Sequence, residues 1–383
     1  MINYAQHSIS SNDIKTVSQT LKSKFITQGS KVNKFEEILK KKCGSKFSVA
    51  VNSATSALHL SCLGLSISKN DIVWTSPNSF VASANCALLS GASVDFVDIE
   101  LNTFNISPIE LEKKLVLAKK KNRLPKLLVL VHFAGLPCNL KKIYALSKKF
   151  KFKIIEDASH ALGAKYEGGQ IGDCRYSDAT IFSFHASKII TTAEGGVILC
   201  NSKKLYSKIN SLRTHGIVKN INENGKIKKD WFYQQKYLGL NYRMNDIQAS
   251  LGISQIKNLN KWIIKRNQIA SYYQKKLNSK YISFQEVKGK ITSSYHIFVI
   301  LINHPKINRN KVYRYLQSKK IFCNVHYIPI YRHPFYKKLG FNKKKYLNCE
   351  KYYQRTLTIP LYPELKKKSI DLIIYHLNNI LKS

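Results

Sequence analysis

The hydrophobic residues of the first 245 positions change their spacing repeatedly along the chain. Short continuous apolar runs predict buried strands, whereas apolar residues spaced three and four apart predict helices. Strands are predicted at 47–51, 71–75, 94–97, 127–132, 152–156, 179–184 and 196–200. Helices are predicted at 11–22, 54–65, 79–89, 108–117, 140–150 and 204–214, with a further one around 35–39 that Gly44 can end. This alternation predicts an α/β domain with a mostly parallel sheet and helices on both faces.

The pattern changes after about residue 245, where strands and helices no longer alternate regularly. Asn245 and Asp246 are placed to cap a helix that runs to about residue 256. An irregular basic loop is predicted at 218–230, helices at 259–278, 309–319 and 367–381, and strands at 294–302 and 321–327. We therefore predict a large α/β domain over residues 1–245 and a smaller α+β domain over residues 246–383.

The net charge of the chain is far from zero. Its 383 residues include 63 Lys and Arg against 22 Asp and Glu, which gives a formal charge of +41. Such a charge raises the hypothesis of nucleic-acid binding. The lysines are nevertheless scattered in short runs, as at 40–42, 119–121, 148–149, 343–345 and 366–368. A solvated surface explains that distribution better, although a positive field would still favour an acidic, phosphate-bearing substrate.

The cysteines and the apolar runs indicate a cellular compartment. Eight cysteines are widely spaced without a CxxC pair, so neither a zinc site nor a disulfide framework is predicted, and buried free thiols are expected. The amino terminus lacks the basic and apolar regions of a signal peptide, and no apolar run approaches the ~20 residues of a membrane span. We expect a cytoplasmic protein.

Two polar features follow predicted strands, at the strand ends where open α/β sheets bind ligands. The segment 52–55 precedes a helix of small residues, so the first amides of that helix and the Thr55 hydroxyl could bind a phosphate. A plain Ser or Thr cap of the helix is the alternative. Asp157 ends the apolar run KFKIIED, where it could pair with the protonated ring nitrogen of pyridoxal phosphate (PLP) or simply cap a helix. His160 in the same turn could contact the ring or be structural.

The third feature is Lys188, on the polar segment between the strands at 179–184 and 196–200. A lysine presented on such a loop could form a Schiff base with a carbonyl substrate or with PLP. The predicted topology places Asp157 and Lys188 on neighbouring strand ends, with Ser183 between them in the sequence. A phosphate site, a partner for the ring nitrogen and an amine that captures an aldehyde together predict a PLP site.

Several longer motifs agree with that hypothesis. They are TQG at 27–29, NSATSALHL at 52–60, EDASHALGA at 156–164, FSFHASKIITTAEGG at 182–196, RTHG at 213–216, GLNYRMNDIQASLG at 239–252 and VHYIPIY at 325–331. In these motifs the chain resembles the sugar aminotransferases of the DegT/DnrJ/EryC1/StrS family, almost from end to end. The resemblance implies the PLP-dependent transferase fold type I, like that of aspartate aminotransferase.

The resemblance also implies roles for individual residues. Lys188 would be the Schiff-base lysine and the catalytic residue. Some relatives that act as dehydratases have a histidine at this position, so the lysine favours amino transfer over dehydration. The implied cofactor contacts are Asp157 for the pyridine nitrogen, Ala54, Thr55 and Ser183 for the phosphate, Phe80 for the ring face, His160 near the ring hydroxyl, and Asn241 from the second subunit of a homodimer. Ile189 departs from the proline that often follows the lysine in relatives.

Within the family, the combination of SFHASK, VHYIPIY and KFITQG resembles members that act in pseudaminic acid biosynthesis. Those members transfer an amino group from L-glutamate to C4 of UDP-2-acetamido-2,6-dideoxy-β-L-arabino-hex-4-ulose. The implied sugar-nucleotide contacts are Tyr4, Lys24, Phe25, Ile26, Thr27, Ala54, Ser183, Asn241, His326, Tyr327, Ile328 and Pro329. In this ping-pong reaction a neutral Lys188 amine would move the proton, so we expect its pKa to be lowered by desolvation and by the cationic cofactor.

Two alternatives remain open at the level of sequence. The first is an aminotransferase for another nucleotide 4-keto sugar, of the perosamine or 4-amino-arabinose type, because no motif reads the nucleotide. The second is a non-catalytic regulator of this fold that binds nucleic acid. It would require clustered basic residues or an added DNA-binding module, and the sequence indicates neither.

Overall fold

A computed structural model describes residues 1–219, 231–342 and 346–382. The strands are β1 (Phe47–Val51), β2 (Ile72–Thr75), β3 (Ser93–Phe96), β4 (Leu127–Val131), β5 (Lys153–Asp157), β6 (Lys165–Tyr166), β7 (Gly169–Gln170), β8 (Ala179–Ser183), β9 (Gly196–Cys200), β10 (Ile217–Lys219), β11 (Tyr233–Gln235), β12 (Ile282–Phe284), β13 (Ile291–Thr292), β14 (Phe298–Ile302) and β15 (Thr356–Ile359).

The helices connect these strands and cover the sheets. They are α1 (Ser11–Leu21), α2 (Ser30–Cys43), α3 (Ala54–Gly64), α4 (Ala82–Leu89), α5 (Pro108–Lys120), α6 (Leu140–Phe150), α7 (Lys203–Leu212), α8 (Asp246–Gln255), α9 (Leu259–Lys276), α10 (Arg309–Ser318), α11 (Pro334–Lys338), α12 (Leu347–Arg355) and α13 (Lys367–Ile380).

The central sheet of the described residues has seven strands in the order β1-β9-β8-β5-β4-β2-β3. Neighbours from β8 to β3 run parallel, whereas β9 is antiparallel to both β8 and β1. One strand is therefore reversed, and the predicted mostly parallel α/β sheet is confirmed. Because β5 and β8 are parallel neighbours, their carboxyl ends lie side by side.

Continuous apolar strands form this sheet because both of its faces are covered. In β4 all five residues are buried. Leu128 and Leu130 belong to one apolar cluster with α2 and α6, whereas Leu127 and Val129 belong to another with α3 and α7. Successive side chains of a strand point to opposite faces, so an uninterrupted apolar run fills both clusters.

A second sheet lies in the carboxyl-terminal part of the chain, where β12, β14 and β15 are antiparallel. The helices α9, α10 and α13 pack on it and form a third apolar cluster, to which Tyr273, Leu316 and Leu377 contribute. Helix α9 joins this cluster to the first one, because Leu259 and Trp262 belong to the large cluster. A division into domains near residue 245 stays a prediction.

The predictions differ from the structure mainly after residue 290. The predicted strand at 321–327 is wrong, since this segment forms only isolated bridges from Ile321 to Ile2 and from Asn324 to Thr358. The segment meets the outer edge of β15 at one residue pair only, and its residues 325–328 line a cavity instead of pairing with the sheet. Helix α12 and strand β15 were not predicted from the sequence, and the helix predicted from residue 79 begins at Ala82. Most of the predicted loop at 218–230 lies outside the described residues.

Two further observations concern the cysteines and the helices. The described ranges contain all eight cysteines, and each of them is buried with a free thiol, as expected. No helix in these ranges combines the length and the apolar character that crossing a membrane requires.

Candidate active site

A cavity of about 740 Å³ opens at the carboxyl ends of β5 and β8. The residues that line it are Tyr4, Ser53, Ala54, Thr55, Leu58, Ser79, Phe80, Val81, Ala82, Val131, Asp157, Ser159, His160, Ser183, His185, Ser187, Lys188, Glu194, Asn324, Val325, His326, Tyr327, Ile328 and His333. The cavity therefore brings together the three features that the sequence placed after strands, at the edge of an open α/β sheet where ligands bind.

Lys188 lies on the turn between β8 and β9. Its backbone N–H donates to His185, and Thr192 and Thr191 both donate to the carbonyl of Phe184, so short local hydrogen bonds close the turn. Burial lowers the pKa of the Lys188 amine to about 8, although the Asp157 carboxylate opposes this shift. The expected lowering of this pKa by desolvation is confirmed.

Asp157 ends β5 and is buried, with 6% of its surface exposed. Its Oδ2 accepts a hydrogen bond from the Ser83 hydroxyl (2.6 Å), and its Oδ1 accepts one from the Ser159 hydroxyl (2.6 Å). The adjacent Glu156 points to the other face of the strand, where it contacts His132 and Thr180. In the described part of the chain no cation lies at ion-pair distance from Asp157, so this buried carboxylate suits a positive group in the cavity.

The start of α3 offers amide groups to the same cavity. Ser53 caps the helix by accepting a hydrogen bond from Ser56 N (3.1 Å). A serine cap was the alternative considered for the segment 52–55, and Ser53 is the residue that forms it. The amides of Ala54 and Thr55 are in the first turn, where N–H groups have no partner within a helix. Gly196 brings β9 against this turn, because a Cβ there would lie 2.6 Å from Ala54 N. Such a helix start favours a phosphate.

Three buried histidines lie at the cavity: His160 and His326 line it, whereas His296 does not reach the lining. The Nδ1 of His160 accepts a hydrogen bond from the Ala134 amide (3.3 Å), and its Nε2 lies 3.1 Å from the Tyr327 hydroxyl. His296 packs beside His160 with ring centroids 4.6 Å apart. Burial, reinforced by Lys188, lowers the pKa of His160 and of His296, and it lowers that of His326 to about 4. All three rings are therefore neutral near pH 7.

Most of the predicted site residues line this cavity. They are Tyr4, Ala54, Thr55, Phe80, Asp157, His160, Ser183, Lys188, His326, Tyr327 and Ile328. Pro329 is buried just beyond the lining. The predicted contacts Lys24, Phe25, Ile26, Thr27 and Asn241 are exposed and do not line the cavity of their own chain. Their assigned roles stay predictions.

Ser79 and Ser83, which form a hydrogen-bonded chain to Asp157, were not predicted as site residues. The available signal was the spacing of these two serines, four residues apart, because they would share one face of the helix predicted over residues 79–89. The contact between His160 and Tyr327, which are 167 residues apart in the sequence, was not predicted either. No local pattern could have indicated that pair.

Comparisons with known proteins agree with this geometry. The chain is 39% identical over 385 residues to UDP-4-amino-4,6-dideoxy-N-acetyl-beta-L-altrosamine transaminase of Campylobacter jejuni. The alignment covers 100% of this chain and 98% of that protein. The fold of the present chain matches that of Helicobacter pylori PseC, an aminotransferase involved in the biosynthesis of pseudoaminic acid, with a TM-score of 0.90. The two chains are 32% identical, and the match covers 100% of this chain and 99% of the other.

A second similar structure was solved in its PLP-form. The sugar aminotransferase Spr1654 of Streptococcus pneumoniae, in its PLP-form, matches with a TM-score of 0.88 and 27% identity over 100% of this chain and 98% of that one. The pattern of the DegT/DnrJ/EryC1/StrS aminotransferase family itself matches residues 7–378. The chain therefore belongs to the DegT/DnrJ/EryC1/StrS aminotransferase family.

Proposed function

We propose that this protein uses PLP to transfer the amino group of L-glutamate to C4 of UDP-2-acetamido-2,6-dideoxy-β-L-arabino-hex-4-ulose. One observation carries the chemistry: the Lys188 amine and the Asp157 carboxylate line one cavity with the amides at the start of α3. The names of the Campylobacter and Helicobacter proteins, matched over nearly their full length, support the choice of sugar.

The residues present fit PLP. Asp157 would hold the ring nitrogen in its protonated form, and Ala54, Thr55 and Ser183 would hold the phosphate. Phe80, with 59% of its surface exposed beside the cavity, would cover a ring face. When bound, PLP supplies an electron sink for the charge that develops when a substrate carbon loses its proton.

Lys188 would move the proton during transfer, and only its neutral amine can accept one. With a pKa of about 8, about one amine in ten is neutral at pH 7. At the ordinary pKa of lysine the neutral fraction would be about one in three thousand. The desolvation at Lys188 therefore raises the share of this amine that is neutral, and so able to accept a proton, at pH 7.

The cavity wall would position the sugar. Tyr4, His326, Tyr327 and Ile328 lie on one side of the cavity, and burial keeps the His326 ring neutral near pH 7 by lowering its pKa to about 4. The segment 24–27 and Asn241 are exposed and do not line this cavity. We propose that they complete the cavity of a second copy in a homodimer.

The test is incubation of the purified protein with PLP, L-glutamate labelled in its amino nitrogen, and a panel of keto-sugar nucleotides. Labelled nitrogen should reach the UDP-β-L-arabino sugar faster than a GDP-linked 4-keto sugar or the 4-keto precursor of 4-amino-arabinose. Faster labelling of either competitor would replace the proposed sugar. Absence of labelling on every sugar, together with tight and salt-sensitive DNA binding, would replace the proposed function.

A further inference from the structure

The turn that carries Lys188, residues 184–195, is an irregular segment between β8 and β9. Inside it, the carbonyl of Phe184 accepts hydrogen bonds from the Thr192 amide (2.9 Å) and from the Thr191 hydroxyl (3.2 Å). These bonds close the turn on itself but do not attach it to the rest of the protein. An irregular segment depends on outside contacts to keep one shape. The position of the Lys188 amine therefore depends on what holds the turn from outside.

Helix α8 holds this turn at two points. Nε2 of Gln248 donates a hydrogen bond to the carbonyl of Glu194 (2.9 Å), close to the start of β9. Oε1 of Gln255 accepts one from the amide of Thr191 (3.4 Å). The two glutamines are seven positions apart in α8, which is about two turns of the helix, so they lie on the same face. One regular element therefore holds the part of the turn that follows Lys188.

Gln255 is itself fixed on its other side. Only 1% of its surface is exposed, and its Nε2 donates to the carbonyl of Ser8 (2.9 Å) and to Oδ2 of Asp13 (2.8 Å). A carbonyl and a carboxylate only accept, and the Thr191 amide only donates, so these partners determine which way the side-chain amide faces. Any shift of this buried group would leave a polar atom without a partner, which costs free energy. Gln255 therefore ties Thr191 to the amino-terminal segment as well as to α8.

The two glutamines act on Lys188 from outside the ligand cavity. Among the described residues, those that line the large cavity include Lys188 but neither Gln255 nor Gln248. Lys188 also lines a second void of about 10 Å³, and Thr191 and Gln255 line this void as well. A void of this volume has room for about one water molecule, so neither a cofactor nor a sugar nucleotide can enter it. Gln255 therefore reaches the lysine through the turn and not through a ligand.

We propose that helix α8 positions Lys188, with Gln255 and Gln248 as the positioning residues that hold the turn at Thr191 and at Glu194. The inference rests on the proposed function, which gives the Lys188 amine its role in moving a proton. Proton transfer requires the amine to stand close to the reacting carbon, and a misplacement of about 1 Å can lower a rate about 100-fold. A loosened turn should therefore slow the chemical steps without weakening the binding of either substrate.

The main variant is Gln255→Met, which keeps the length of the side chain and removes its three hydrogen bonds. The first measurement needs no cofactor: hydrogen–deuterium exchange of the segment 184–196 in the apoprotein, followed by mass spectrometry. Exchange should be faster than in wild type, because the Thr191 amide has lost its acceptor. Gln248→Met provides the same test at Glu194, and because its side chain is only half buried, this variant keeps the core contacts of Gln255.

The second measurement is single-turnover kinetics of the PLP-loaded protein, with glutamate and then with the keto sugar. The maximal rate of each half-reaction should fall about 10- to 100-fold in Gln255→Met, because Lys188 moves the proton in both. The substrate concentration that gives half of the maximal rate should stay at its wild-type value, because neither glutamine lines the cavity. This separation of rate from binding is the signature of a positioning residue.

Ser254→Ala is the matched control from the same helix. Ser254 is buried beside Gln255, and its hydroxyl accepts a hydrogen bond from Nδ2 of Asn12 in α1 (2.6 Å). This variant therefore loses a buried contact between α8 and α1 but keeps the contact with the turn. It should lower the melting temperature and leave the exchange of segment 184–196 and both half-reaction rates at their wild-type values. The same changes in Ser254→Ala as in Gln255→Met would overturn the inference.

Other outcomes also decide the question. Wild-type half-reaction rates in folded Gln255→Met and Gln248→Met proteins would overturn the inference, and so would slower half-reactions without faster exchange of the turn. Weaker substrate binding at unchanged maximal rates would place the effect on the ligand and overturn it as well. Failure of the proposed function is a different result, since wild type itself would then aminate none of the keto sugars, whereas the exchange of segment 184–196 would still test the contact between α8 and the turn.

Discussion

Ser83→Ala should weaken PLP binding without any direct contact between Ser83 and a cofactor. The Ser83 hydroxyl is fully buried and donates to Oδ2 of Asp157 at 2.6 Å, while Ser159 serves the other carboxylate oxygen. A hydrogen bond to a charged group contributes about 1.5–3 kcal/mol. If even the lower value is lost from the interaction of Asp157 with the protonated ring, the dissociation constant for PLP should rise about tenfold.

The measurement is titration of apoprotein with PLP, followed by visible absorption and by calorimetry. Ser61→Ala is the matched control, because its hydroxyl is equally buried but donates to the carbonyl of Ala57 inside α3 (2.8 Å). Both variants should lose stability, about 1 kcal/mol for Ser61→Ala and about 1.5–3 kcal/mol for Ser83→Ala, and only Ser83→Ala should lose PLP affinity. Equal PLP affinity in wild type and Ser83→Ala, in folded protein, would refute the role assigned to the serine.

Three further predictions concern other parts of the site. The rate of the half-reaction with glutamate should rise with pH and level off above about pH 8, because the Lys188 amine accepts a proton only when it is neutral. A rate that does not depend on pH between 6 and 9 would contradict the role of Lys188 as the base. Gly196→Ala should lower both thermal stability and PLP affinity, since its Cβ would lie 2.6 Å from Ala54 N. Gly168→Ala is the control, because nothing lies within 4 Å of its added Cβ, and it should change stability alone. A melting curve and a PLP titration measure the two effects. If Asn241 completes the partner's cavity, inactive Lys188→Ala and Asn241→Ala subunits that are mixed equally, dissociated and reassembled should recover about a quarter of the wild-type activity. The reason is that about half of the dimers are mixed, and each mixed dimer has one intact site. No recovery of activity would place each site within one subunit.

The sequence could predict the arrangement of Asp157 and Lys188 because it depends on topology. Continuous apolar runs such as Leu127–Val131 indicate strands covered on both faces, and parallel neighbours bring their carboxyl ends to one edge. Once β5 and β8 are neighbours, residues that follow them must meet. The segment before α3 was predicted for the same reason.

The parts that the sequence could not predict depend on contacts between distant segments. Tyr327 reaches His160 from a segment that was predicted as a strand, and that prediction was wrong because the segment pairs with β15 only at Asn324 and then lines the cavity. The alternation of apolar residues at 321–327 reflects burial of Ile321 and Cys323, and it carries no information about which strand occupies the sheet. Likewise, no pattern around Ser83 names Asp157 as its partner.

The identity of the lysine that captures PLP tests the account most directly, because the chain has many lysines. Wild-type protein loaded with PLP would be reduced with borohydride, digested, and mapped by mass spectrometry. We predict that the cofactor is attached at Lys188, and that Lys188→Ala loses both this attachment and amino transfer to the keto sugar. Attachment at another lysine, or a Lys188→Ala protein that keeps its visible absorption and its turnover, would contradict the account.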